Sequence, residues 1–145
     1  MTDFHRVTPT FSVAGQLAVA DIQRAAYAGF KVIVKNRPEG EDPDQPSEAA
    51  LRAAAGAAGL AYHALPFVGP PPPAVVAEMA TLMDEDARGP ILAYCRSGRR
   101  SIMAWALAEA LSGRTPPDEI LAQAAAAGYD LSGAREALES LAPRS

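Results

Sequence analysis

Apolar positions along this chain fall into two alternating patterns. Short runs rich in β-branched residues predict strands, at Phe11–Ala14, 31–36, 61–65 and Ile91–Tyr94. Between them lie longer alanine- and leucine-rich stretches closed by glycine, which predict helices over 19–28, 47–58, 74–86 and 101–111. Two further helices are expected at 115–127 and 132–141. Ser47 fits an N-cap, and Pro73 fits a first helical turn, where no amide hydrogen is needed. The stretch 37–46 holds three prolines and a glycine among polar residues, so it reads as a functional loop. This β-α-β-α order predicts an α/β domain with a mainly parallel sheet of four or five strands flanked by helices. No internal repeat or shift of composition divides the 145 residues, so they are read as one domain, with 114–145 a helical C-terminal extension of it.

Composition narrows the partners. A chain that is 49% hydrophobic and 21% charged is typical of a folded, soluble domain. Its net charge of -4 and lack of a basic face argue against nucleic acid. No apolar run reaches membrane-spanning length, and the first residues lack the apolar core of a signal peptide, so a cytoplasmic protein without a membrane partner is expected. A single cysteine permits no internal disulfide, and with two histidines it makes a zinc site improbable; no metal or cofactor is expected. His5 and His63 read as ordinary structural or surface histidines, and Trp105, Met79, Met83 and Met103 as core.

That one cysteine carries the candidate chemistry. Cys95 ends the strand Ile91–Tyr94 and opens the loop Arg96-Ser97-Gly98-Arg99-Arg100-Ser101, beyond which a helix is expected. Strand ends of this kind are where parallel sheets bind ligands. Loop amides, a helix N-terminus and cations favour a thiolate and also bind an oxyanion beside it. Gly98 allows successive amides to converge on one point. Cys95 is therefore the expected nucleophile and Arg100, nearest the helix start, the expected anion clamp. Arg96, Ser97, Gly98, Arg99 and Ser101 complete the anion-binding loop.

The segment Cys95 to Ser101, together with Gly15-Gln16, Asn36-Arg37-Pro38 to Glu41 and the strand Tyr62 to Pro66, resembles the bacterial β-lactamase-hydrolase-like phosphatase-like domain, also called DUF442. The resemblance covers about residues 5–112. It implies a fold like that of the dual-specificity phosphatases. Members occur alone or fused to metallo-β-lactamase-type sulfur dioxygenases, and the activity implied is divided between phosphatase and sulfurtransferase. It also implies that the 36–41 segment borders the site, with Arg37 touching the anion and Glu41 orienting an arginine. Gln16, Asn36 and Gln45 become possible pocket residues on the same ground.

Counting within the loop separates the two chemistries. Cysteine phosphatases use Cys-X5-Arg; here the arginine arrives one position early, giving the Cys-X4-Arg length of rhodanese-type sulfurtransferases. Tyr94 stands where phosphatases usually carry histidine. The region 66–73, where a general acid is expected, has no carboxylate, leaving Asp42 or Glu41 as substitutes. On these grounds sulfur transfer through a Cys95 persulfide, from thiosulfate or a persulfide to an acceptor thiol, is favoured over phosphate-ester hydrolysis through a phosphocysteine. A non-catalytic module that senses an anion or an oxidant is the third reading. Oligomeric state is not encoded in any motif.

Overall fold

The computed structural model describes residues 1–84 and 89–143. Its centre is a five-stranded sheet in the order β1-β2-β5-β3-β4. The strands are β1 (Phe4–Thr8), β2 (Phe11–Ala14), β3 (Val32–Lys35), β4 (Ala61–Ala64) and β5 (Ile91–Tyr94). The pairs β2–β5, β5–β3 and β3–β4 are parallel, while β1 pairs antiparallel with β2 through Phe4↔Ala14 and His5↔Val13. β1 was not foreseen in the sequence. Its Phe-His-Arg-Val-Thr stretch is only partly buried and has no apolar run to announce it.

Among the described residues six helices cover the sheet: α1 (Val19–Tyr27), α2 (Glu48–Ala57), α3 (Pro73–Asp84), α4 (Arg99–Ser112), α5 (Pro117–Ala126) and α6 (Arg135–Leu141). Their ends follow the expected signals. The Ser47 hydroxyl accepts the Ala50 amide at 3.1 Å, and Gly113 closes α4 in the left-handed conformation at φ 76°. Three boundaries differ. α4 starts two residues earlier than expected, at Arg99. The 115–127 helix starts at Pro117, with Pro116 rather than Thr115 at its cap, and a 3-10 turn over Ser132–Ala134 precedes α6. The expected end of α3 at residue 86 lies outside the described residues.

Alternation along the buried strands divides the core between the two faces of the sheet. On one face Val13, Val34 and Ala93 pack with Met79 of α3, Ile102 and Trp105 of α4, Ile120 of α5 and Leu138 of α6. On the other, Ile33, Leu92 and Tyr94 pack with Leu17, with Ile22 of α1 and with Leu51 of α2. Trp105 and Met79 are thus core residues, with Met83 and Met103 at its margin. Among the described residues no helix is long and apolar enough to cross a membrane.

This arrangement brings the segments after β2, β3, β4 and β5 to one edge of the sheet. There the backbone ties them together: Cys95 N–H donates to Ala14 O, Asn36 N–H to Tyr94 O, and Phe67 N–H to Asn36 O. The carboxyl edge is therefore one continuous structure built from four separate loops.

Candidate active site

Cys95 lies at the floor of that edge, only 1% exposed. Its Sγ accepts a hydrogen bond from the Gly98 amide at 3.1 Å, so the loop curls back over its own sulfur. Gly98 can do this because it takes φ 91°, a conformation that penalises any side chain. A Cβ there would also stand 2.3 Å from the Tyr129 hydroxyl. Gly98 then serves as N-cap of α4, whose first turn is Arg99-Arg100-Ser101 and contains no acidic residue. Two cations at a helix N-terminus oppose the macrodipole. An anion held beside them would relieve that opposition, so the break with local preference makes this turn a candidate anion site.

Arg100 is fixed by contacts from two other loops. Its Nη1 and Nη2 donate to the Glu41 carboxylate at 3.0 and 2.6 Å, and Nη1 also reaches Phe67 O at 3.1 Å. Glu41, and more weakly the Cys95 sulfur, hold the Arg100 cation above its ordinary pKa. Glu41 in turn is held below the usual carboxylate range, first by Arg100 and then by Arg37, against a smaller opposing effect of burial. It has no proton to donate near neutrality. This removes Glu41 as the substitute general acid, and Asp42 instead accepts the Asp44 amide within its own loop at 3.0 Å.

The predicted residues are thus sorted by the structure. Arg37, expected to touch the anion, is buried, with Nε on Glu41 and Nη1 on Gln16 Oε1, both at 3.0 Å. It braces Glu41, and Glu41 braces Arg100. Gln16 closes this chain, and its Nε2 donates to Leu17 O. Asn36 is fully buried and donates to Leu65 O at 3.0 Å, holding the β3 end to the segment after β4. Gln45 faces its own loop instead of a pocket: it accepts from Asp42 N–H and donates to Pro38 O. Arg96 and Arg99 are exposed, and Arg99 donates to Asp130 O at 3.2 Å. Ser97 is exposed, whereas Ser101 is buried and its hydroxyl has no partner. His5 packs edge-on against Tyr129.

Sequence reasoning missed three sets of contacts. The Tyr129 hydroxyl donates to Ser97 O at 2.8 Å, so the C-terminal extension clamps the cysteine loop. Tyr94 and Tyr62 join their hydroxyls at 2.7 Å across the intervening strand β3, beneath Cys95. Burial pushes Tyr62 up to about 12 and Tyr94 higher still, so both stay neutral. Lys35 is buried with Nζ 3.1 Å from Glu39 and 3.2 Å from Glu48. No spacing rule joins residues as far apart in sequence as Tyr129 and Ser97, Tyr94 and Tyr62, or Lys35 and Glu48. Among the described residues no cluster of His, Cys, Asp or Glu could hold a metal ion.

Comparison with known proteins agrees with this geometry. The family described as "Beta-lactamase hydrolase-like protein, phosphatase-like domain" matches residues 3–112. A beta-lactamase hydrolase-like protein of Agrobacterium fabrum is 35% identical over 136 residues, covering 92% of this chain and 31% of the relative. The chain therefore spans about a third of that relative's length. A crystal structure from Neisseria meningitidis, described as a candidate phosphatase, superposes with a TM-score of 0.77 at 31% identity, covering 94% of this chain and 96% of that one. A DUF442 protein of Shewanella putrefaciens, also described as a candidate phosphatase, has a TM-score of 0.71 at 18% identity over 93% of this chain and 85% of its own, a likeness of fold.

Proposed function

The chain belongs to the family of β-lactamase hydrolase-like phosphatase-like domains, and from that premise we propose that it is a cysteine-dependent hydrolase of phosphate monoesters that have good leaving groups. The observation that carries this reading is the curled loop: Cys95 Sγ under the Gly98 amide, at the mouth of α4, with Arg100 locked by Glu41. The fold, shared with structures described as phosphatases, supports phosphorus over sulfur as the element attacked. That reverses the order drawn from the loop length, Tyr94 and the carboxylate-free segment 66–73.

In the proposed reaction the Cys95 thiolate attacks phosphorus, the S–P bond forms, and the P–O bond breaks with its electron pair leaving on the alcohol oxygen. Arg100 and the loop amides neutralise the phosphoryl oxygens as charge shifts among them. Water then attacks phosphorus, the P–S bond breaks, orthophosphate departs and the thiolate is restored. The buried Ser101 hydroxyl, in the first turn of α4, has a free donor with which to stabilise the returning thiolate. With Glu41 held by Arg100 and Arg37 and no carboxylate in 66–73, this reading favours aryl-type esters, whose oxygen leaves readily as its own anion.

Sulfur transfer is the second reading, and two specific observations favour it: the four residues between Cys95 and Arg100, and the engagement of Glu41 by Arg100 and Arg37, which takes it out of a general-acid role. In that case Cys95 takes the outer sulfur of thiosulfate, sulfite leaves, and an acceptor thiol removes the sulfur. One experiment separates the two. Wild type and Cys95→Ser are compared in 4-nitrophenyl phosphate hydrolysis and in thiosulfate-to-cyanide transfer, with mass spectrometry of the protein. We expect phosphate release that falls at least about a thousandfold in Cys95→Ser. A single added sulfur on Cys95, with no Cys95-dependent phosphate release, replaces the first reading by the second.

A further inference from the structure

Beside the cysteine loop lies a groove of about 480 Å³ that the reaction as described does not use. Arg100 and Arg99 stand at it, and its walls are apolar: Phe67, Pro70, Met103, Leu107 and, from the C-terminal extension, Ala137. Its volume is within the range of about 300–1,000 Å³ typical of small-molecule sites. The groove runs between the segment after β4, the outer face of α4 and the start of α6. It is continuous with the candidate active site through Arg100, the same side chain that is locked onto Glu41 and Phe67 O.

Cations at one place and carbon surface along the rest match one kind of molecule. We propose that the groove is a substrate subsite for the apolar organic group of an amphiphilic anion, whose charged head is bound by the cysteine loop. This rests on the reading of Cys95 to Ser101 as an anion site, and adds to it the class of molecule selected. On one wall the Pro70 to Pro73 run is too rigid to fold back and fill the space, since each proline fixes its own φ. The outer wall comes from residues beyond 112, where the family match ends, so selection of the organic group would fall to the extension.

The test uses non-hydrolysable alkylphosphonates and full-length Cys95→Ser, with affinity measured by calorimetry. Methyl-, butyl- and octylphosphonate share one head and differ only in chain. We expect affinity to rise about twofold per methylene, half the logarithmic gain of complete burial, hence about sixteenfold from butyl to octyl. Octanol, which lacks the anion, should bind at least about tenfold more weakly than octylphosphonate. Adding Ala137→Glu, an exposed position at the groove, should flatten the chain-length series. Equal affinity for the three phosphonates overturns the groove while leaving the anion site intact. A rise with chain length that survives Ala137→Glu places the tail elsewhere and also overturns it. Absence of binding by any phosphonate overturns the anion site itself, and the groove with it. Concentration-dependent dimerisation abolished by Ala137→Glu assigns the groove to a second copy of the chain and overturns the proposal.

Discussion

At the scale of single residues the site depends on one glycine and one carboxylate. Gly98→Ala must place a Cβ at φ 91° and against the Tyr129 hydroxyl, so it should cost more than about 1 kcal/mol in urea unfolding. It should also remove the Gly98–Cys95 contact and with it most of the turnover. Glu41→Gln keeps the shape but loses the charge that grips Arg100, and kcat/KM should fall about tenfold. Its effect on stability depends on pH. The folded Glu41 pKa lies below its unfolded value, so its contribution is present above the unfolded value and lost as pH falls through the folded one. Near pH 7 the variant should be less stable by up to about 1 kcal/mol, because a quarter of the side chain faces water. Below the folded Glu41 pKa wild type and variant should converge in the same measurement. Cys95, Arg100 and Gly98 were all legible in the sequence, since a strand, a thiol, a glycine and an arginine cluster follow one another directly. Arg37 was legible as a neighbour of the site, but its orientation was not. Whether a guanidinium faces an anion or braces a carboxylate depends on Gln16, twenty-one positions away.

At the scale of elements, hydrophobic period and glycine punctuation placed all six helices and four of five strands. β1 escaped because an edge strand paired on one side needs little apolar surface. The start of α4 was misplaced for a related reason. Two arginines make a poor first turn by local preference, so local pattern alone put the start of the helix at Ser101. The C-terminal helices illustrate a different limit. Their amphipathic pattern announced that they fold, but not that Tyr129 between them reaches Ser97 O. Tyr129→Phe should therefore lower kcat/KM through a looser loop while changing stability by only about 1 kcal/mol. Leu138→Ala, fully buried under α6, should cost about 2–5 kcal/mol by thermal or urea unfolding. The two substitutions separate what the extension does for the loop from what it does for the core.

At the scale of the whole molecule, a parallel sheet sealed on both faces leaves its carboxyl edge as the place where four loops meet. Everything local about the site forms within a few residues of Cys95. Its cation, however, is gripped by a carboxylate 59 positions earlier in the chain. Such a contact joins β3's loop to α4 only after the strands between them have docked, so its entropy of closure is met late in folding. The cysteine turn can thus form before it is competent. In stopped-flow chevrons, Glu41→Gln should speed unfolding and leave the refolding limb unchanged. The proposed nucleophile would then meet a clamped Arg100 only in a chain that has completed its fold, so the last contact to form is also the one that completes the candidate site.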